Sequence, residues 1–266
     1  MKSLTEAISD CAKNKSKALI PFLTSGYPDR NLFLRLMKEF LKSGADIIEV
    51  GIPFSDPMAD GKSIQFSSQK ALENGVTIGK TFDYLSTLQN GRNVPVVIMS
   101  YLNPILSYGL LPFIKDAAAC GVRGLIIPDL TPDEGNNIEP LCSHGNIDLI
   151  YLLAPTSNSA RRKLILNRTH GFVYLVAVAG VTGVRQTLPA NLSNWIAKVK
   201  HESRLPVCVG FGISNARQAS IISRRADGII VGSAIIEIIR QSKTSGQIVA
   251  NVGRFMRQIR KELNNV

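Results

Sequence analysis

The chain has 266 residues, 45% of them hydrophobic, which is enough for one large core, and residues 1–266 are expected to form a single domain. Lysine and arginine total 31 against 20 acidic residues, a formal charge of +11, but the basic residues are scattered over amphipathic segments, as at Arg161, Arg162, Lys163 and at Arg254, Arg257, Arg260, Lys261, so a nucleic-acid partner is not expected. Cys11, Cys120, Cys142 and Cys208 have neither paired nor metal-ligand spacing, His144, His170 and His201 do not cluster with them, and no apolar run reaches bilayer length; free thiols, no metal, no membrane and a cytoplasmic location are expected.

Ser3 and Glu6 have capping-box spacing, and Leu4, Ile8 and Cys11 form an apolar stripe, so an N-terminal helix is expected to precede the first strand and plug one end of the fold. A strand over Ala18 to Leu23 runs into Thr24-Ser25-Gly26-Tyr27-Pro28, and an amphipathic helix over Asn31 to Ser43 is closed by Gly44. Ile47 to Ile52 is a β-branched run of the kind covered on both faces of a parallel sheet. Helices over Ser63 to Asn74 and Thr81 to Leu88 lead to a strand at Val94 to Tyr101. The alternation continues with a helix at Pro112 to Cys120, a strand at Gly124 to Asp129, a helix at Pro132 to His144 and a strand at Asp148 to Pro155. Next come helix Ser159 to Asn167, strand Phe172 to Ala179, a long loop from Gly180, and helix Asn191 to Lys200. Strand Val207 to Phe211, helix Asn215 to Ser223 and strand Gly228 to Val231 precede a closing helix with a stripe of Ile248, Val252, Phe255, Ile259 and Leu263. Eight strands near residues 20, 48, 97, 126, 151, 175, 209 and 230, each followed by helix, predict a (β/α)8 TIM barrel with an extra N-terminal helix. A doubly wound open sheet would carry its glycine fingerprint after the first strand, where none is present.

In such a barrel the active site lies at the C-terminal ends of the strands, and the unusual residues collect there. Glu49 interrupts the second strand; it is either a buried acid/base group with a raised pKa or a glutamate paired at a strand end. Gly51, Pro53 and Pro57 then force a turn-rich loop bearing Asp56 and Asp60, each placed to serve a turn or to face the same cleft as Glu49. Three glycine motifs follow late strands: Gly180-Val181-Thr182-Gly183, Gly210-Phe211-Gly212-Ile213-Ser214 and Gly232-Ser233-Ala234. Glycine permits close backbone approach and helix N-terminal amides hold anions, so the three together predict a phosphate site.

These stretches resemble the tryptophan synthase alpha subunit family over almost the whole chain. The resemblance rests on Pro-Phe-Leu-Thr-Ser-Gly-Tyr-Pro at 21 to 28, Glu-Val-Gly-Ile-Pro-Phe-Ser-Asp-Pro-Met-Ala-Asp-Gly at 49 to 61, Tyr-Leu-Asn-Pro-Ile at 101 to 105, and Ile-Pro-Asp-Leu at 127 to 130. Ala-Pro-Thr at 154 to 156, Gly-Val-Thr-Gly-Val-Arg at 180 to 185 and Gly-Phe-Gly-Ile-Ser at 210 to 214 extend it. It implies cofactor-free retro-aldol cleavage of indole-3-glycerol phosphate to indole and glyceraldehyde 3-phosphate, with Glu49 shuttling protons, Asp60 holding the indole N–H and Tyr174 near the reacting centre. It further implies an indole pocket lined by Phe22, Tyr101 and Ile126 or Asp129 and a phosphate site at Gly183, Gly212, Gly232 and Ser233. The two glycines of a hinge and the lack of apolar periodicity over Gly180 to Leu188 predict a mobile lid there, with the Thr182 hydroxyl in reach of Asp60. The implied partner is a pyridoxal-phosphate beta subunit in an alpha2beta2 assembly, docking on an exposed Pro53, Asp56 and Pro57. The sequence departs from the family pattern at Lys62-Ser63, Ala177 and Thr131, and Lys62 is expected to lower the pKa of Asp60. Two other readings fit the residues: another phosphate-sugar barrel enzyme, an epimerase or isomerase, and a weakly active or inactive subunit that allosterically activates its partner.

Overall fold

In the computed structural model, which describes residues 2–89, 94–176, 191–210 and 212–264, nine strands form one parallel sheet in the order β5-β4-β3-β2-β1-β9-β8-β7-β6. They are β1 (Ala18–Thr24), β2 (Ile48–Gly51), β3 (Val96–Met99), β4 (Val122–Ile126), β5 (Asp148–Ile150), β6 (Leu152–Leu153), β7 (Val173–Val176), β8 (Val207–Gly210) and β9 (Gly228–Val231). The two outermost strands, β5 and β6, are one stretch of chain interrupted at Tyr151, so the sheet closes on itself through that residue. Eight strands were to be expected; the fifth divides because the Tyr151 N–H leaves the ladder and donates to Thr169 Oγ1 at 3.1 Å. The barrel architecture of the sequence reading stands.

Registers such as Phe22 opposite Glu49 and Glu49 opposite Val97 bring alternate residues of neighbouring strands to the same face. Buried β-branched and leucine side chains on the other face meet the helices, so the strands read as continuous apolar runs. Among the described residues no helix is long and apolar enough to cross a membrane.

The helices are α1 (Leu4–Lys13), α2 (Arg30–Lys42), α3 (Lys62–Glu73), α4 (Ile78–Gln89), α5 (Leu102–Tyr108), α6 (Leu110–Ala119), α7 (Glu139–His144), α8 (Ser159–Arg168), α9 (Leu192–Glu202), α10 (Ala216–Ser223), α11 (Ser233–Gln241) and α12 (Ser245–Leu263). The Ser3/Glu6 capping box forms as its spacing predicts, and the Thr5 hydroxyl donates to Gly171 O at 2.7 Å. Leu4 is fully buried, its Cδ1 lying 2.7 Å from where a Cβ on Gly124 of β4 would stand and 3.0 Å from one on Gly171, so α1 stops the N-terminal end of the barrel.

Three helix expectations need correction. Pro132 to His144 is not one helix: a 3-10 turn over Pro132–Asn137 gives way at Ile138 to α7, which begins with Glu139 and Pro140, a proline placed where its missing N–H costs least. Asn103-Pro104, read as a strand-ending turn, instead lies in the first turn of α5 for the same reason. The closing helix is two, α11 and α12, separated by Ser242 to Thr244, and the core stripe of α12 uses Met256 where Phe255 was expected; Phe255 is half-buried.

Candidate active site

A cavity opens at the C-terminal end of the barrel and is lined by Phe22, Glu49, Asp60, Tyr174, Gly212 and Ser233, with apolar walls from neighbouring side chains including Met99 and Ile230. Strand β2 delivers Glu49 from inside the barrel wall, where it is 1% exposed. Its Oε2 finds no hydrogen-bond partner among the described residues. Burial first, and the neighbouring Asp60 carboxylate second, push the Glu49 carboxyl up to about 8. A carboxyl in that state holds its proton at neutral pH and can both give and take one.

Asp60 stands at the end of the loop joining β2 to α3 and is 6% exposed. The loop is fixed by its own turns: Met58 N–H donates to Asp56 O at 2.9 Å and Asp60 N–H to Pro57 O at 3.0 Å. Gly61, with no side chain, then caps α3. Burial raises Asp60 to about 7, against a hydrogen bond from the Tyr101 hydroxyl that lowers it. Lys62, expected to depress Asp60, is exposed on the first turn of α3, and the observed shift runs the other way because desolvation dominates.

Tyr101 was expected only as a pocket wall. Its hydroxyl oxygen accepts from Ala59 N–H at 2.9 Å while the same group bonds Asp60, so it holds the carboxylate-bearing loop on both sides of the peptide. Burial and the Asp60 charge push the phenol up, which keeps it a donor. The contact is not visible in the sequence because 42 residues separate Ala59 from Tyr101.

Tyr174 is 4% exposed and lines the cavity from β7. Its ring lies where a Cβ on Gly210 would be, 2.5 Å from the hydroxyl oxygen, so Gly210 makes room for an aromatic of the site itself. Phe22, on β1, lines the cavity opposite Glu49 in register, and Gly232 lies against its ring. Ile126 is buried on β4 and does not line the cavity. Asp129 is exposed, and its Oδ1 accepts from Leu102 N–H at 3.0 Å at the start of α5.

At the far side of the cavity Gly212 takes a left-handed φ of +85°, and α11 begins with Gly232 and Ser233, both in the lining. Helix α10 is capped by Asn215, but α11 has no side chain over its first amides, which leaves them available to an anion. Thr182, Gly183 and the expected lid over 180–188, with Ala177, lie outside the described residues.

The expectation of an exposed Pro53 to Pro57 is only partly met: Pro53 is buried together with Gly51 and Ile52 where the chain leaves β2, and Pro57 is half-buried. Exposure belongs to Ser55, Asp56 and Met58, the last 87% exposed. Among the described residues no group of three or more His, Cys, Asp or Glu side chains is placed to hold a metal ion.

Residues 8–264 match the family model described as tryptophan synthase alpha chain. The chain is 45% identical over 257 residues to a tryptophan synthase alpha chain of Dehalococcoides mccartyi, covering 97% of this chain and 99% of that one. It is 39% identical over 265 residues to the one from Geobacter sulfurreducens, covering all of both. Among solved structures, tryptophan synthase subunit alpha of Legionella pneumophila superposes with a TM-score of 0.92 at 31% identity over the full length of both chains. A Mycobacterium tuberculosis tryptophan synthase chain does so with 0.88 at 35% identity, covering 98% of this chain and 99% of that one.

Proposed function

The chain belongs to the tryptophan synthase alpha chain family, and from that premise we infer how its own residues cleave indole-3-glycerol phosphate to indole and glyceraldehyde 3-phosphate. The carrying observation is a pair of buried carboxyl groups, Glu49 and Asp60, facing one cavity with pKa values raised to about 8 and about 7. The reaction needs Glu49 protonated and Asp60 ionised near neutrality, and those values permit both at once.

Protonated Glu49 gives its proton to C3 of the indole ring. The ring gains positive charge, and Asp60, ionised and held by Tyr101, accepts the indole N–H and stabilises that charge. The hydroxyl on the side-chain carbon next to C3 then loses its proton to the Glu49 carboxylate. Its oxygen lone pair becomes the aldehyde C=O, and the bond from C3 to that carbon breaks with its electron pair returning to the ring. Glu49 ends as it began, so the step needs no outside reductant, oxidant or metal. Tyr174 and Phe22 flank the reacting atoms and keep water from them. The open amides of α11 and the Gly212 turn take the phosphate.

The partner we propose is a tryptophan synthase beta chain, a pyridoxal-phosphate enzyme, in an alpha2beta2 assembly. Support comes from Asp56 and Met58, which stand exposed on the loop that ends in Asp60. Following indole release from indole-3-glycerol phosphate, with and without the beta chain, tests the whole reading: no indole in either case overturns the lyase, and equal rates in both overturn the partner's activating role.

A further inference from the structure

The first turn of α3, immediately after Asp60, is tied to α11 by a half-buried contact. Ser63 is 7% exposed, and its hydroxyl donates to Glu237 Oε1 at 2.7 Å. The same oxygen accepts from Arg240 Nη1 at 2.8 Å. The Arg240 guanidinium lies over the Phe66 ring of α3, 4.5 Å from its centroid, and Phe66 meets Tyr27 edge to face at 6.3 Å. Two helices are thereby joined by a hydrogen bond and a cation–π contact, and an ion pair within α11 links the carboxylate of the one contact to the guanidinium of the other.

The position of the contact gives it meaning. Glu237 is four residues, about one helical turn, after Ser233, the residue of α11 that lines the cavity. Ser63 is three residues after Asp60, whose carbonyl oxygen is itself held by Gln65 Nε2 of α3 at 2.8 Å. One side of the contact therefore leads to the anion-binding helix end and the other to the carboxylate that meets the ring. We propose that the Ser63–Glu237 hydrogen bond is a positioning contact that sets the span between Asp60 and the phosphate-binding start of α11. The inference rests on the reaction proposed above, because only a ligand held at both ends senses that span.

A ligand that touches one end alone is indifferent to the distance between the two. Indole and glycerol phosphate each bind at one end; indole-3-glycerol phosphate must satisfy both while its C3 meets Glu49. A small error in the span then leaves the separate pieces bound normally and misplaces the reacting atoms, which is where effective concentration is lost steeply. Arg240, held to Glu237 and stacked on Phe66, keeps the acceptor oxygen aimed at Ser63 when the hydroxyl is present.

The test uses the full chain with its beta partner and four variants, Ser63→Ala, Ser63→Thr, Glu237→Ala and the Ser63→Ala/Glu237→Ala double variant. For Ser63→Ala, kcat for indole-3-glycerol phosphate should fall about tenfold, with the dissociation constants of indole and of glycerol phosphate, measured separately by calorimetry, within about twofold of the parent. Ser63→Thr, which keeps the hydroxyl, should restore the rate. Glu237→Ala should match Ser63→Ala, and the double variant should be no worse than either, because the two side chains act through one contact. Losses that add, a threonine that fails to restore the rate, or a parental rate in Ser63→Ala would each overturn the inference. Glycerol phosphate binding that weakens in step with kcat would also overturn it, since α11 would then have been damaged directly. A parent that releases no indole brings down the lyase reading and this inference with it, whereas an active parent with unaffected variants removes the inference alone.

Discussion

Glu49 and Asp60 are the residues whose surroundings do most of the chemistry, and their pH behaviour separates the two roles. Cleavage needs Asp60 ionised and Glu49 protonated, so kcat/KM should fall on the acid side as Asp60 gains a proton near 7 and on the alkaline side as Glu49 loses one near 8. A profile flat from about pH 6 to 9 would contradict the assignment. The same burial has a stability consequence. A carboxyl whose folded pKa is raised above its unfolded value contributes stability below the unfolded pKa and loses it as pH rises through the folded one, here between 4.5 and about 8 for Glu49. Glu49→Gln removes that loss; its turnover should drop roughly a hundredfold to ten-thousandfold while its melting temperature at pH 7.5 rises by about 5 °C, a gain that disappears near pH 4. Calorimetric scans at the two pH values decide it. At the phosphate end Gly212→Val would confound ligand exclusion with backbone strain, because φ is +85° there. Ser233→Asp is the cleaner change: an aspartate suits a helix start, so the fold should hold, while its charge should abolish glycerol phosphate binding. Unaltered binding in that variant would place the phosphate elsewhere.

At the scale of elements, α1 gives a clean energetic test. Ser3 and Glu6 satisfy each other's backbone amides at the start of the helix, so Ser3→Ala should cost about 1 kcal/mol in urea denaturation and leave kcat unchanged. A lowered kcat would mean that the plug reaches the site. Most elements were legible from period and punctuation, because buried parallel strands read as β-branched runs and most helices carry an apolar stripe. Breaks within elements were less so. Tyr151 divides the fifth strand through a hydroxyl of Thr169, 18 residues away, which leaves no local signature, whereas the division of Pro132 to His144 at Ile138 is signalled locally by Gly135 and Pro140, and the single-helix expectation passes over it. The site divides along the same line. Glu49 and Asp60 stand out locally, as a carboxylate in an apolar strand and a carboxylate on a turn-rich loop, whereas Tyr174 and Phe22 come from the family resemblance alone, because a strand-borne aromatic is ordinarily a packed one. The Tyr101 hold on Ala59 and Asp60, and the Ser63–Glu237 contact across 174 residues, are products of barrel closure and appear only once the strands are placed. Lys62 shows the opposite failure: adjacency in sequence suggested a charge effect that burial of Asp60 outweighs.

For the molecule as a whole, the loop that ends in Asp60 is also the surface proposed to meet the partner, so on that reading docking and chemistry share one segment. Asp56 bonds the Ser55 hydroxyl and is exposed. If the partner grips it, Asp56→Ala should lower the ratio of the rate with saturating beta chain to the rate of the isolated chain by about fivefold and leave the isolated rate alone. An unchanged ratio would move the docking surface off this loop. Surface ion pairs such as Lys70–Glu73 and Lys13–Asp10 cancel charge in place and leave the +11 on the remaining basic residues, and each pair is screened by salt and of small individual worth.

Leu4 and its neighbours on α1 close the N-terminal end of the barrel, and that closure governs traffic. Substrate arrives at the rim of the C-terminal end, and both products must leave past the same rim. On the proposed reading, with the aldehyde anchored by its phosphate on α11 and the indole held at Asp60, each product stands in the way of the other's departure. A subunit seated on the rim can receive only what comes out of that single doorway. On the same proposed reading, a barrel stoppered at its base would let a partner seated on the rim govern the order of product release.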